Sequence, residues 1–77
     1  MEIQYSKQAV KFLNKQEKFT KLRIIREIEQ LPQGDVKKLQ GREEYRLRIG
    51  NYRIIFIKNG EILYVEKIDN RGQVYRR

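Results

Sequence analysis

The chain has 77 residues, a net charge of +8 and neither cysteine nor histidine. Its length predicts one domain, residues 1–77, and the missing residue types exclude disulfides, thiolate metal sites and histidine catalysis. Its longest apolar run, residues 54–57, is too short for a membrane span or a signal peptide, so we expect a cytoplasmic protein that does not contact a membrane.

The first half of the chain predicts one strand followed by two helices. Residues 2–5 alternate polar and apolar side chains, which is typical of a strand. Ser6 suits the N-cap of a helix over about 7–15, because its hydroxyl can accept a bond from a free backbone N–H. A second helix is predicted from Lys18 until Pro32 stops it. The short connection predicts an antiparallel helical hairpin.

Apolar residues at helical spacing predict the buried faces of these two helices. In the second helix they recur every three residues, and the same side is expected to meet the sheet. The predicted helical core residues are Ala9, Val10, Phe12, Leu13, Phe19, Leu22, Ile24, Ile25, Ile28 and Leu31.

The second half predicts a three-stranded meander after a loop at 33–35. Strands are indicated at 45–49, 52–58 and 61–67, with two-residue turns at Gly50-Asn51 and Asn59-Gly60. The predicted fold class is α+β with the order β-α-α-β-β-β. An antiparallel sheet would carry the helical hairpin on one face.

The turn positions also predict the strand register. Leu47 should oppose Ile54, and Ile54 should oppose Val65 on the next strand, with these side chains facing the helices. Tyr45 and Tyr52 share this parity and are expected to pack in the core rather than to act in catalysis.

The opposite face should gather Arg46, Arg48 and Arg53, with Arg48 directly across from Arg53. Like charges in a cross-strand pair are destabilising, so this arrangement indicates an anion site. Glu66 should lie on the other side of Arg53 and compensate in part.

Charge is distributed unevenly along the chain. Residues 1–34 contain seven basic and four acidic residues, whereas residues 35–77 contain eleven and six. Lysine dominates the first part and arginine the second, and the planar arginine fork suits phosphate. We therefore expect a polyanionic partner (nucleic acid, an acidic protein or both) at the second half.

Three segments resemble the RelE/ParE toxin superfamily of bacterial type II toxin–antitoxin systems. They are KLQG at 38–41, YRLRIGNYRIIF at 45–56 and NRGQVY at 70–75. The resemblance covers essentially the whole chain and implies a RelE-like fold. It also implies one of two activities: RelE-branch members cut messenger RNA in the ribosome, and ParE-branch members inhibit DNA gyrase.

The resemblance implies roles for particular residues. Arg46, Arg48 and Arg53 match the basic positions that surround the scissile phosphate in RelE-type nucleases. Arg71 matches a nearby arginine, and Tyr75 matches the tyrosine assigned to proton transfer. Because arginine does not readily release a proton, Arg46 and Arg48 should act as cations and Tyr75 is the better proton acceptor.

We therefore expect a ribosome-dependent endoribonuclease that uses the RNA 2′-hydroxyl as nucleophile and needs neither metal nor cofactor. The alternatives are a gyrase inhibitor without chemistry, or a plain RNA-binding module or degenerate toxin. Basic residues expected to attract ribosomal or messenger RNA are Lys37, Lys38, Arg42, Arg76 and Arg77.

An apolar patch beside the arginines predicts a docking site for the antitoxin that the resemblance implies. Ile55, Ile57, Ile62 and Tyr64 share the open face with the arginines, which is an unfavourable surface for a monomer. The expected partner is a cognate antitoxin whose acidic or amphipathic segment covers both the basic surface and this patch.

Overall fold

The computed structural model describes residues 2–70, which form two helices and one five-stranded sheet. The predicted α+β fold with a helical hairpin is confirmed. Arg71, Tyr75, Arg76 and Arg77 lie outside the described residues. The elements are β1 (Glu2–Tyr5), α1 (Lys7–Asn14), α2 (Lys18–Glu29), β2 (Asp35–Lys38), β3 (Tyr45–Ile49), β4 (Tyr52–Asn59) and β5 (Ile62–Asn70).

The sheet has the strand order β1-β5-β4-β3-β2 and is mixed rather than wholly antiparallel. β2 through β5 form the antiparallel part, and β1 adds to β5 in parallel, with Ile3 beside Leu63. β2 was not predicted as a strand, and Asp35, predicted in a loop, is its first residue. A parallel pair needs a crossover connection, and the α1–α2 hairpin begins the one between β1 and β5.

Ser6 fixes the point at which β1 passes into α1. Its hydroxyl accepts a hydrogen bond from the Ala9 N–H at 3.1 Å, which confirms the predicted N-cap. The same hydroxyl donates to the Glu66 carbonyl on β5 at 2.7 Å. The helix start is therefore tied to β5 by a side chain as well as by core packing.

The core lies between the helices and one face of the sheet, which we call the inner face. Packing of this kind accounts for most of the stability of a small domain. Its buried residues are Ala9, Leu13, Ile24, Ile28, Leu47, Ile49, Ile54, Phe56, Leu63, Val65 and Ile68.

Three residues predicted in the helical core are exposed instead. Phe19 is 82%, Leu22 48% and Val10 44% exposed. For Phe19 and Leu22 the reason is helical geometry: at 3.6 residues per turn, a spacing of three drifts by about 60° at each step. Phe19 therefore lies on the side of α2 opposite to Ile28, and α2 packs through Ile24 and Ile28.

The first hairpin has the predicted register, and the second does not. Ile49 pairs with Tyr52 around Gly50-Asn51 as predicted, and Leu47 opposes Ile54. In the second hairpin Asn59 pairs with Ile62, so the turn residues are 60 and 61 rather than Asn59-Gly60.

Positive φ explains where both turns lie. Gly50 (φ 58°) and Gly60 (φ 64°) are each the first of the two turn residues, a position that requires positive φ in both common hairpin turns. A second change follows at a bulge in the pairing between Ile55 and Phe56, so Ile54 opposes Ile68 rather than Val65.

Among residues 2–70 no helix has the length and hydropathy of a membrane span.

Candidate functional site

The sheet face turned away from the helices, which we call the outer face, brings together the predicted arginines. Arg46 and Arg48 alternate with buried residues of β3, and Arg53 alternates with buried residues of β4. Arg48 and Arg53 are direct cross-strand partners. Two positive charges in such a pair repel each other, so the arginine cluster (Arg46, Arg48 and Arg53) is suited to an anion that lies between its members.

Arg53 forms an ion pair with Asp69, not with the predicted Glu66. The Arg53 Nη2 atom lies 2.9 Å from Asp69 Oδ2, and Asp69 is the cross-strand partner of Arg53 on β5. The prediction for Glu66 was wrong because the turn and the bulge both shift the register of β5. Both side chains are about a third exposed, at 31% and 30%.

A row of four charged residues thus crosses the outer face, in the order Asp35, Arg48, Arg53 and Asp69. The two arginines occupy the central strands, and the two aspartates occupy the flanking strands. The row combines a cationic centre with carboxylates at its sides, so a phosphate would be favoured between the arginines and disfavoured further out.

Some polar atoms of the site are buried and make no hydrogen bond with any described residue. They are Arg46 Nε, Arg53 Nε and Asp69 Oδ1. Buried polar groups are nearly always hydrogen-bonded, and leaving one without a partner costs about 1–3 kcal/mol. Two of these atoms belong to the Arg53–Asp69 ion pair, so both side chains of that pair keep a buried polar atom without a partner among the described residues.

Of the residues predicted to attract RNA, the three that the structure describes do not form one surface. Lys37 is the cross-strand partner of Arg46 and lies on the outer face. Lys38 pairs with Tyr45 on the inner side, and its ammonium donates to the Arg42 carbonyl. Arg42 itself lies in the loop before β3, where its Nε atom is 3.2 Å from Glu44 Oε1.

The predicted apolar patch lies on the outer face beside the arginine cluster. Ile57 and Tyr64 are direct cross-strand partners, and Ile55 is the partner of Lys67. All three apolar side chains are half-buried. Ile62, which was also predicted on this face, is 37% exposed.

Tyr45 and Tyr52 pack against the core, as predicted. The Tyr45 ring stacks on Phe56 with centroids 5.5 Å apart, and Tyr52 meets Phe12 edge-on at 6.0 Å. The ammonium groups of Lys38 and Lys58 lie 5.6 and 5.8 Å from the centre of the Tyr45 ring. These rings support the inner face and do not reach the arginine cluster.

Asp69 and Lys67 lie on the outer face, and neither was predicted there. Both reach the outer face because of the bulge in β5. One signal could have revealed it: the apolar residues Leu63 and Val65 are two apart, but the next, Ile68, is three further on. A break in strand alternation is what an extra residue produces.

Within residues 2–70 no group of three or more acidic side chains could hold a metal ion.

The sequence matches one protein family and several solved structures. Residues 3–75 match the family described as the ParE toxin of a type II toxin–antitoxin system, parDE. No curated protein matches the chain. A RelB–RelE antitoxin–toxin complex from Methanococcus jannaschii contains a chain 29% identical, with a TM-score of 0.74 and 94% of each chain covered.

Two further structures are similar. A RelE–RelB complex from Pyrococcus horikoshii contains a chain 33% identical, with a TM-score of 0.66 over 94% of this chain and 96% of that one. YafQ from E. coli is 19% identical with a TM-score of 0.62, covering 97% and 98% of the two chains, and shows a shared fold.

Proposed function

The chain belongs to the RelE/ParE family of type II toxin–antitoxin toxins, and from this premise we propose that it is a ribosome-dependent endoribonuclease that cleaves messenger RNA. One observation carries the proposal: Arg46, Arg48 and Arg53 share the outer face, and Arg48 is paired directly with Arg53. A protein that acts by binding another protein has no need for such a phosphate-binding group. The RelE chains that are 29% and 33% identical to this one support the same branch.

The proposed reaction is an attack by the RNA on its own backbone. The 2′-oxygen forms a bond to the adjacent phosphorus, the bond from phosphorus to the 5′-oxygen breaks, and the products are a 2′,3′-cyclic phosphate and a 5′-hydroxyl. Arg46, Arg48 and Arg53 would hold the phosphate and stabilise the extra negative charge of the phosphorane. This requires no metal ion and no cofactor.

Two proton transfers complete the proposed reaction. One group must take the proton of the 2′-hydroxyl, and another must supply a proton to the leaving 5′-oxygen. We assign the first transfer to Tyr75 and assistance with the second to Arg71, following the resemblance, since both lie outside the described residues. The ribosome would supply the remaining requirement, an RNA held with the 2′-oxygen in line with the leaving group.

Mapping of messenger RNA ends after addition of the protein to translating ribosomes tests the proposal. We expect cuts within the ribosome-bound message, and a loss of rate of about 100- to 1000-fold for Arg53→Ala. Tyr75→Phe should lose about 100- to 10,000-fold. Arg26→Ala is the matched control, because Arg26 is an exposed arginine of α2 that lies away from the outer face. Its removal should leave the rate unchanged. Intact message, or full activity of Arg53→Ala, would refute the nuclease.

The second candidate is a DNA gyrase inhibitor, and the match to the ParE toxin description favours it. Such a protein would act by binding gyrase and would perform no chemistry. A supercoiling assay with purified gyrase separates the two functions, because inhibition at a one-to-one ratio together with uncut message supports the inhibitor. Normal growth of cells that express the chain without an antitoxin would instead favour a plain RNA-binding module or a degenerate toxin.

The proposed partner is a cognate antitoxin, in keeping with a type II system and with the toxin–antitoxin complexes among the similar structures. Its acidic or amphipathic segment would cover the arginine cluster and the apolar patch of Ile55, Ile57 and Tyr64. Binding to the folded state adds stability by mass action, so the antitoxin should raise the melting temperature of the toxin. An unchanged melting temperature at saturating antitoxin would contradict this assignment.

A further inference from the structure

We propose that Asp69 is a positioning residue that directs the Arg53 guanidinium at the substrate phosphate. The inference rests on the proposed nuclease function and adds a residue to its site. Asp69 acts through Arg53 and does not touch the reacting atoms. Neither the composition nor the resemblance pointed to this residue.

The two strands that flank β4 place opposite charges beside the Arg53 guanidinium. Arg48 repels it from β3, and the Asp69 carboxylate attracts it from β5. The single contact of 2.9 Å joins Nη2 to Oδ2. A guanidinium has five N–H donors, so this ion pair fixes the side chain through one nitrogen and leaves donors for a phosphate. A guanidinium anchored in this way is already in place when the additional negative charge of the phosphorane develops.

A bulge in β5 brings Asp69 to this position. Near the turn Lys58 pairs with Leu63, and Phe56 pairs with Val65. If this register continued, Ile68 would lie opposite Arg53, with its side chain on the outer face. The extra residue returns Ile68 to the core, where it is 0% exposed, and turns Asp69 outwards instead. Bulges commonly re-aim side chains in this way beside active sites.

Side chains from the start of α1 hold the bulged segment in place. The Gln8 amide donates to the Ile68 carbonyl at 2.8 Å and accepts from the Ile68 N–H at 2.9 Å. Ser6 donates to the Glu66 carbonyl at 2.7 Å. Because β1 pairs with β5 only as far as Val65, these side chains continue the pairing beyond the end of β1. The backbone that leads into Asp69 is therefore held by side-chain bonds at Glu66 and Ile68.

Burial excludes a direct chemical role for the free carboxylate oxygen. Asp69 Oδ1 exposes less than 1 Å² and makes no hydrogen bond with a described residue. A ribose hydroxyl cannot approach an atom that is closed to solvent, so Oδ1 does not take the proton of the 2′-hydroxyl, and Oδ2 is engaged in the ion pair with Arg53. Its effect on the reaction passes through the orientation of Arg53.

Asp69→Asn is the test, and Asp35→Asn is its matched control. Both changes remove one negative charge from the same row, and the structure shows an ion pair for Asp69 but none for Asp35 among the described residues. In the ribosome assay we expect Asp69→Asn to lower kcat by about 10- to 100-fold with KM within about twofold. Asp35→Asn should lower kcat less than Asp69→Asn does, because Asp35 forms no ion pair among the described residues. Asp69→Glu should recover part of the loss, because it restores the carboxylate.

Several results would overturn the proposal. Equal effects of Asp69→Asn and Asp35→Asn would mean that net charge alone matters. A lower KM with unchanged kcat in Asp69→Asn would mean that Asp69 competes with the phosphate. Thermal unfolding of each variant shows whether it is folded, and a loss of kcat in a variant that melts like the wild type counts as support.

A second measurement separates this proposal from the nuclease itself. If the wild type leaves the message intact, the proposed function fails, and the role of Asp69 is judged from the side-chain NMR signal of Arg53 Nε–H. A signal that is sharp in the wild type and Asp35→Asn but averaged in Asp69→Asn supports positioning. A signal unchanged in Asp69→Asn refutes it.

Discussion

The two faces of β4 differ in burial and in chemistry, although their residues alternate along one strand. On the inner face, Ile54 and Phe56 are 0% and 2% exposed and belong to the core. On the outer face, Arg53 and Ile55 are half-buried and lie in the charged and apolar surface. Because successive side chains of a strand point to opposite sides, one step along β4 separates a core position from a position in the candidate site.

This difference shows why a domain with a small core can carry two arginines that repel each other on its outer face. The outer face is in contact with water, which weakens the repulsion between Arg48 and Arg53 to some tenths of a kcal/mol. The inner face carries the apolar contacts and has no buried charged residue among those described. Changes on the two faces should therefore separate stability from activity.

The largest expected difference in the free energy of unfolding is between substitutions of two neighbouring isoleucines. Ile54→Ala removes a fully buried side chain and should lower the free energy of unfolding by about 2–5 kcal/mol. Ile55→Ala, on the outer face, should cost about 1 kcal/mol, because less apolar area leaves contact with the protein. Urea unfolding monitored by circular dichroism measures both. Equal losses would show that the outer face also supports the core.

The second expected effect is smaller and concerns the end of β5. Gln8→Ala removes both hydrogen bonds to Ile68, each of which contributes about 1 kcal/mol. Gln4→Ala is the control, since the Gln4 amide donates to the exposed Glu2 carboxylate and holds no backbone group. Hydrogen exchange at the Ile68 amide should accelerate in Gln8→Ala alone. The same rate in both variants would mean that the bulge is held by packing.

The sequence predicted the first hairpin and the face of every arginine in the described cluster, because both follow from local rules. A two-residue turn with glycine fixes the pairing of Leu47 with Ile54. The register of β4 with β5 could not be predicted from the residues of that hairpin alone. The partner of Arg53 depends on a bulge that is held by Ser6 and Gln8, about 60 residues earlier in the chain.

The errors in the helices have a similar cause. Spacing identified α2 as a helix that runs from Lys18, as predicted, but it did not identify which side faces the sheet. Phe19 and Leu22 lie on the far side, beside Arg23 and Arg26 in an open groove of about 500 Å³. The apolar set of α2 extends around most of the helix, so the choice of buried face depends on how α2 packs on the sheet.

The smallest expected effect concerns Tyr5, a titratable residue of the inner face. Burial raises the pKa of its hydroxyl above 10.0, and the negative charge of Glu29 raises it further. Folding thus favours the neutral phenol, and this contribution is fully present below the pKa of the unfolded chain. It is lost as the pH rises from about 10 through the pKa of the folded state, since the unfolded chain then releases its proton first.

Tyr5→Phe tests this difference directly, because it removes the proton and keeps the ring. Above pH 10 the wild type should lose stability faster than Tyr5→Phe, by at most about 1.4 kcal/mol per pH unit. Glu29→Gln should reduce the excess loss, since it removes one cause of the raised pKa. Urea midpoints measured from pH 8 to pH 11 give the comparison. Identical slopes in the wild type and Tyr5→Phe would show that water reaches the Tyr5 hydroxyl, and that the inner face is open at β1.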